Sequence, residues 1–101
     1  MLKNFRAFQN SVRLYHRIVA LKLPRHLTDQ VQRAMASVSL NLAEGAGKTS
    51  LAEKRKFFTS SLASLREVQA VLYLAKVRDE SLAADADQLA GMIYKLVVWR
   101  P

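Results

Sequence analysis

The chain has 101 residues, half of them hydrophobic, and carries a formal net charge of +8. This length corresponds to one domain, so we treat residues 1–101 as a single unit. The absence of cysteine excludes disulfide frameworks and thiolate zinc sites, and it fits a reducing, cytoplasmic compartment. No apolar stretch reaches the roughly 18 residues of a membrane span, so no membrane association is expected.

The first predicted helix has apolar residues spaced alternately three and four apart. They are Phe5, Phe8, Val12, Tyr15 and Val19, and Ile18 and Leu21 broaden the stripe. This heptad spacing predicts an amphipathic helix with the stripe facing the core. Pro24 should end the helix, because proline disfavours helical geometry in the residue before it. Thr28 is then the predicted N-cap of the next helix.

The second predicted helix also carries apolar residues at helical spacing. They are Val31, Ala34, Met35, Val38 and Leu42. Gly45 or Gly47 should end this helix, because either can take the left-handed cap conformation. Ser50 is the predicted N-cap of the third helix, and Glu53 three residues later completes a capping box.

The third predicted helix, from residue 51 to about residue 77, is apolar on two sides. One stripe is Phe58, Leu62, Leu65 and Leu72, and the other is Phe57, Val68, Val71 and Ala75. A helix of this kind is either central in the fold or buried again in an oligomer.

After a turn at residues 79–81, the fourth predicted helix carries another apolar set. It comprises Leu82, Leu89, Ile93, Leu96 and Val97. Four helices joined by short turns predict an all-α, antiparallel up-down-up-down four-helix bundle.

The positive charge is concentrated toward the start of the chain. Residues 1–27 hold six Lys or Arg and no acid, whereas residues 79–101 hold two basic and four acidic residues. This asymmetry favours a polyanionic partner, most simply nucleic acid. The alternative is that a small basic protein is merely soluble and that the acidic helix neutralises a neighbour.

Two groups of cations are candidate nucleic-acid contacts, because rows of Lys and Arg can neutralise phosphates. The first is Lys3, Arg6, Arg13 and Arg17, and the second is Lys48, Lys54, Arg55 and Lys56. The first group shares one helix face, which would otherwise be a solvated surface. The second opens the third helix, where cations oppose the helix dipole. Because this placement is unfavourable for the helix, it favours a functional role for these cations.

No group of residues indicates catalysis or metal binding. His16 and His26 are the only histidines and lack clustered ligands. Ser60, Ser61 and Ser64 have no nearby base in the sequence, which a serine nucleophile requires. We therefore expect no enzymatic activity, no cofactor and no metal.

Two linked motifs carry a family resemblance. Residues 27–34 match Leu-Thr-x-Gln-(Ile/Val)-x-Arg-Ala, and residues 41–48 match Asn-Ile-Ala-Glu-Gly-x-Gly-Arg with Leu42 and Lys48 as departures. The chain resembles the 23S rRNA intervening-sequence proteins, a bacterial family of four-helix bundles. The family usually has Ile-Pro-Ser before the Asn, where this chain has residues 38–40 as Val-Ser-Leu.

The resemblance implies a bundle that assembles into a ring, commonly a pentamer. A related branch, the accessory variability proteins of diversity-generating retroelements, binds a reverse transcriptase and nucleic acid. The motif residues Arg33, Asn41, Glu44, Gly45 and Gly47 are expected to be structural: the polar ones satisfy backbone groups or form salt bridges, and the glycines make the cap and turn.

These observations lead to one expected function and one alternative. The first is a non-enzymatic, ring-forming basic scaffold that associates with RNA or DNA. The alternative is an adaptor that docks a protein such as a reverse transcriptase through the third helix and Trp99. Residues 97–99 should leave apolar surface on a monomer, and the acidic fourth helix of one subunit could meet the basic first helix of the next.

Overall fold

The computed structural model describes residues 2–101 and contains four α-helices. They are α1 (Arg6–Val19), α2 (Arg25–Ala46), α3 (Leu51–Leu74) and α4 (Glu80–Val98), preceded by a 3-10 turn at Leu2–Asn4. No strand occurs among the described residues. The helices form an elongated body of 42 × 22 × 22 Å. The predicted all-α four-helix bundle is thus confirmed.

Hydrogen bonds between neighbouring helices have antiparallel register. Gln30 near the start of α2 donates to Glu67 in the second half of α3, at 3.2 Å. Further along α2, the Val38 carbonyl accepts from Ser61 at 2.8 Å, earlier in α3. The contacts of α4 with α3 and α1 follow the same direction, at Gln69–Asp87, Arg55–Trp99, Asn10–Met92 and Arg17–Asp85.

This register gives the bundle two distinct ends. The basic end holds the chain start, the α2–α3 turn and the last turn of α4, namely residues 2–6, 44–56 and 95–101. The two-turn end holds the α1–α2 and α3–α4 turns, namely residues 20–26 and 73–81. The candidate sites lie at these two ends.

Most of the predicted core residues of α2, α3 and α4 lie in the interior. All five predicted α2 residues are buried, as are Leu82, Leu89 and Ile93 of α4. Both stripes of α3 contribute, because α3 packs against α2 on one side and α4 on the other. Its buried apolar residues are Phe58, Leu65, Val68, Val71 and Leu72. Most of the double apolar face therefore packs inside one chain and is not available to dock a partner.

The predicted core stripe of α1 is only partly right: Ile18 lies in the core and the other members are half-buried, because the side of α1 that faces the core is shifted by part of a turn. Its buried line is Ala7, Ser11, Leu14 and Ile18, and the predicted aromatic stripe lies half-buried along the edge. Small residues are buried because they allow α1 to approach α2 closely. The Ser11 hydroxyl lies 2.6 Å from the Phe8 carbonyl and 2.8 Å from the Ser39 hydroxyl. These hydrogen bonds satisfy a polar group that hydropathy places outside.

The predicted helix start at Thr28 is also wrong. The α2 helix begins at Arg25 with Pro24 as N-cap, because the fixed φ of proline is compatible with a helix entrance. The Thr28 hydroxyl instead donates to the Leu23 carbonyl at 3.1 Å. The Ser50 cap is confirmed, since its hydroxyl accepts from the Glu53 amide at 3.1 Å.

The helix ends differ from the glycine-cap prediction. Neither Gly45 nor Gly47 is left-handed, and Gly47 ends α2 with a φ of −83°. The left-handed residue is Lys76, with a φ of 56°. The α3 helix itself ends at Leu74, three residues before the predicted limit of about residue 77.

Among residues 2–101, no helix combines the length and apolar character that a bilayer crossing requires.

Candidate nucleic-acid interface

The basic end brings together cations from both predicted groups. The N-terminal turn, the start of α1, the α2–α3 turn and the start of α3 supply them. They are Lys3, Arg6, Lys48, Lys54, Arg55 and Lys56. Arg13 and Arg17 lie farther along α1, toward the two-turn end. Lys3 and Arg6 therefore lie with the second predicted group at the basic end, apart from Arg13 and Arg17 of their own group.

Lys54 caps a helix terminus. Its ammonium group lies 3.4 Å from the Gly45 carbonyl and 3.2 Å from the Ala46 carbonyl, the last carbonyls of α2. A cation at a helix C-terminus is favourable, because it meets the negative end of the dipole and unsatisfied carbonyls. Lys54 lies in the first turn of α3, as predicted, and its contact with the end of α2 offsets the unfavourable interaction with the α3 dipole.

Two further cations of this group are held by the protein itself. The Arg55 guanidinium donates to the Trp99 carbonyl and so attaches the end of the chain to α3. The Lys48 ammonium lies 3.5 Å from the Glu44 carboxylate and 5.2 Å from the centroid of the Phe57 ring. These contacts reduce the charge that this group presents to a ligand.

Lys3, Arg6 and Lys56 are exposed and make no ion pair within residues 2–101. They are therefore the members of the predicted set at the basic end that remain available to phosphates.

Arg17 links α1 to α4. Its guanidinium forms ion pairs with Asp85 and, at 3.5 Å, Asp79, and it donates to the Ser81 hydroxyl at 3.0 Å. The charge complementarity between the first and fourth helices is thereby used within one chain. Arg13, one turn earlier, is exposed and hydrogen-bonds only to the Asn10 side chain among the described residues.

Gly45 allows a close helix contact at the basic end. A Cβ atom at this position would lie 2.6 Å from Cε1 of Phe58 and 3.2 Å from Cβ of Phe57. The last turn of α2 therefore packs so closely on α3 that a side chain at this position would displace the Phe58 ring. Phe58 in turn contacts Phe5, with ring centroids 6.1 Å apart.

The other motif residues lie on or near the outer face of α2. The Asn41 amide donates to the Ser37 carbonyl at 2.9 Å, and the Gly47 amide donates to the Ala43 carbonyl at 3.3 Å. Arg33 is exposed, and Arg33, Asn41 and Glu44 line a shallow groove together with Ala36, Ser37, Leu40 and Phe57.

The serines considered as nucleophiles in α3 make packing or backbone contacts. Ser61 donates to the Val38 carbonyl, the Ser64 hydroxyl lies 2.8 Å from that of Ser37, and Ser60 donates to the Lys56 carbonyl. Within the described chain, no three His, Asp or Glu residues are grouped so as to hold a metal ion.

A cleft at the two-turn end was not predicted from the sequence. It measures about 420 Å³ and is lined by Tyr73, Lys76, Val77 and Arg78. The missed signal is local: α3 ends in Tyr73 and Leu74, two cations follow, and no glycine is present to end the helix.

Comparison with known proteins identifies the family. No curated protein and no solved structure matches the chain. A family model described as 23S rRNA-intervening sequence protein matches residues 3–97, which include all four helices except the last residue of α4. The chain therefore belongs to the family of 23S rRNA-intervening sequence proteins.

Proposed function

We propose that the protein is a non-enzymatic, basic scaffold that associates with RNA or DNA as a homo-oligomer in the cytoplasm. The family description names an rRNA context, which supports RNA as the first nucleic acid to test. The absence of cysteine in the chain suits a reducing compartment.

The state of the cations is the observation that carries the proposal. Twelve of the sixteen Lys and Arg side chains are exposed and form no ion pair with an acid within the described residues. Most of the net charge of +8 is therefore presented to solvent. A surface of this kind attracts polyanions, and the released counterions make binding depend steeply on salt.

A salt titration tests the proposal. The full chain is mixed with fluorescently labelled single-stranded and structured RNAs, and the affinity is measured from 50 to 200 mM salt by anisotropy. We expect the logarithm of the binding constant to fall linearly with the logarithm of salt, with little preference among sequences. Binding that is absent or independent of salt would contradict the proposal.

A matched pair of variants tests the role of the exposed charges at the basic end. Lys56→Gln removes an uncommitted ammonium, and Lys54→Gln removes one that caps α2. Each phosphate contact contributes about 0.7 to the salt slope for a single strand. We expect Lys56→Gln to reduce the slope by about that amount if Lys56 makes one such contact, and Lys54→Gln to change it less. An equal effect would show that the intramolecular contacts do not limit availability.

Self-association is supported by apolar residues that the fold leaves outside. Leu40 on α2 is 68 % exposed and lies between two surface grooves, one lined by Val12 and Tyr15 and the other by Phe57. Val98 and Trp99 are exposed at the basic end. Exposed patches of this kind mark interaction surfaces. By family resemblance, we propose a pentamer.

Native mass measurement tests the oligomer. We expect a multiple of 11.4 kDa for the wild type and a smaller assembly for Leu40→Glu, because a charge would then be buried at the contact. Leu40 is exposed, unlike the nearby buried Val38, so a substitution at Leu40 changes the surface without disturbing the core. A wild type that remains monomeric at micromolar concentration would contradict the proposal.

A further inference from the structure

The cleft at the two-turn end displays an aromatic ring to solvent. Tyr73 is 86 % exposed, and its hydroxyl makes no hydrogen bond within the described residues. The other exposed tyrosine, Tyr94, is 54 % exposed and does not line this cleft. Tyr73 contributes little to the core, so its ring is available to a ligand.

Lys76, which lines the same cleft, has an unfavourable backbone conformation for its residue type. Its φ of 56° belongs to the left-handed region, where a Cβ atom costs about 1 kcal/mol and glycine is usual. The hydrogen bonds require this geometry: the Lys76 amide donates to the Tyr73 carbonyl at 3.1 Å, and the Val77 amide to the Leu72 carbonyl at 3.0 Å. Glycine would make the same bonds without strain, so the hydrogen bonds alone do not explain why a lysine stands at this position.

The charge of the cleft suits an anion. Lys76 and Arg78 are both exposed, and neither forms an ion pair with an acid in residues 2–101. Asp79 follows Arg78 in the chain, but its carboxylate accepts from the Leu82 amide at 3.0 Å and lies 3.5 Å from the Arg17 guanidinium. Glu80 is the nearby acid in sequence that has no such partner, and it begins α4.

We propose that this cleft binds an unpaired nucleotide of a nucleic-acid strand, with the base stacked on Tyr73 and the flanking phosphates bound by Lys76 and Arg78. An aromatic face accepts any base and nearby cations track the backbone, which is how single strands are bound without sequence preference. The inference rests on the proposed nucleic-acid function and assigns it a specific site. Leu74, although exposed, does not line the cleft.

Substitution of Tyr73 tests stacking. The affinity of the full chain for a labelled 12-nucleotide single-stranded RNA is compared with that for the same RNA in a duplex. Tyr73→Ala should weaken single-strand binding about tenfold or more and Tyr73→Phe by less than about twofold, because phenylalanine keeps the stacking face. Tyr94→Ala is the matched control and should leave the affinity unchanged. The wild-type preference for the single strand should disappear in Tyr73→Ala.

The cations have a separate readout. Lys76→Gln and Arg78→Gln should each lower the slope of log affinity against log salt by about 0.7. Equal losses for Tyr73→Ala and Tyr94→Ala, or a Tyr73→Phe variant as weak as Tyr73→Ala, would overturn the site while leaving the proposed function intact. A smaller native mass for Tyr73→Ala with unchanged RNA affinity would also overturn it, because the cleft would then be a protein contact. Absence of wild-type RNA binding at every salt would overturn the proposed function itself.

Discussion

The two ends of the bundle use positive charge differently. At the basic end, three cations that are close in sequence each have an intramolecular partner: Lys48 has Glu44, Lys54 has the end of α2, and Arg55 has the Trp99 carbonyl. At the two-turn end, Lys76 and Arg78 have no acidic partner within the described residues and line the same cleft as the exposed Tyr73 ring.

The difference teaches that the density of charge in a sequence is a poor measure of charge available to a ligand. Helix ends present unsatisfied carbonyls, and a nearby cation is readily drawn to them. At the basic end, which has more lysines, several cations are therefore held by intramolecular contacts. The two-turn end offers Lys76 and Arg78 to solvent, and Lys76 does so from a strained backbone, whereas at the basic end Lys3, Arg6 and Lys56 remain exposed.

The largest expected effect concerns the close packing of the basic end. Gly45→Val places branched carbon where even a Cβ would lie 2.6 Å from Phe58. Overpacking of this kind should lower the free energy of unfolding by about 2–3 kcal/mol. The melting temperature, measured by circular dichroism, should fall by about 10 °C or more.

Gly91→Val is the matched control. A Cβ at Gly91, which is exposed on α4, meets nothing within 4 Å. The free energy of unfolding should stay within about 0.5 kcal/mol of the wild type, because valine is a slightly better helix former than glycine. Similar losses in both variants would mean that the contact of α2 with Phe58 is not tight.

A gain in stability is expected at the two-turn end. Lys76→Gly relieves the positive φ and should raise the free energy of unfolding by about 1 kcal/mol. Lys76→Ala, which removes the same ammonium but keeps the strain, should remain near the wild type. Urea denaturation measures both. We expect both variants to weaken RNA binding equally, because both lose the ammonium, although only Lys76→Gly gains stability. A Lys76→Gly variant that binds RNA as the wild type does would contradict this expectation.

The smallest effect compares two neighbouring lysines. Lys54→Gln loses the cation at the end of α2 and should lower the free energy of unfolding by about 0.5 kcal/mol. Lys56→Gln, exposed and unpaired with any described acid, should change it by no more than about 0.2 kcal/mol. Chemical denaturation at low salt gives the best resolution, since salt screens the dipole interaction. Identical midpoints would show that the cap contributes nothing measurable.

The sequence predicted the bundle because long apolar periodicity specifies helices and the faces they bury. Val31, Met35 and Leu42 were recognised as core residues from spacing alone, and each is buried. In α1 the spacing identified Ile18 but not Ser11, because Ser11 is buried through hydrogen bonds to Phe8 and Ser39. Hydropathy does not report such pairings, which depend on how closely two helices approach.

The candidate site was less predictable, because availability depends on contacts between distant residues. The sequence placed Lys54 beside Arg55 and Lys56 but did not show that the end of α2 would hold its ammonium. Nor did it show that Lys76 would take a left-handed conformation, since no glycine or asparagine marks the end of α3. The packing of the helices decides both.

The attachment of Trp99 to Arg55 has a spectroscopic consequence. Trp99 is the only tryptophan in the chain, it is 55 % exposed, and it lies at the basic end. Its fluorescence emission therefore reports on that end selectively. A nucleic acid that contacts the basic end should quench or shift the emission, whereas a strand held only at the Tyr73 cleft should leave it unchanged. One intrinsic fluorophore can thus show which end of the bundle a ligand occupies.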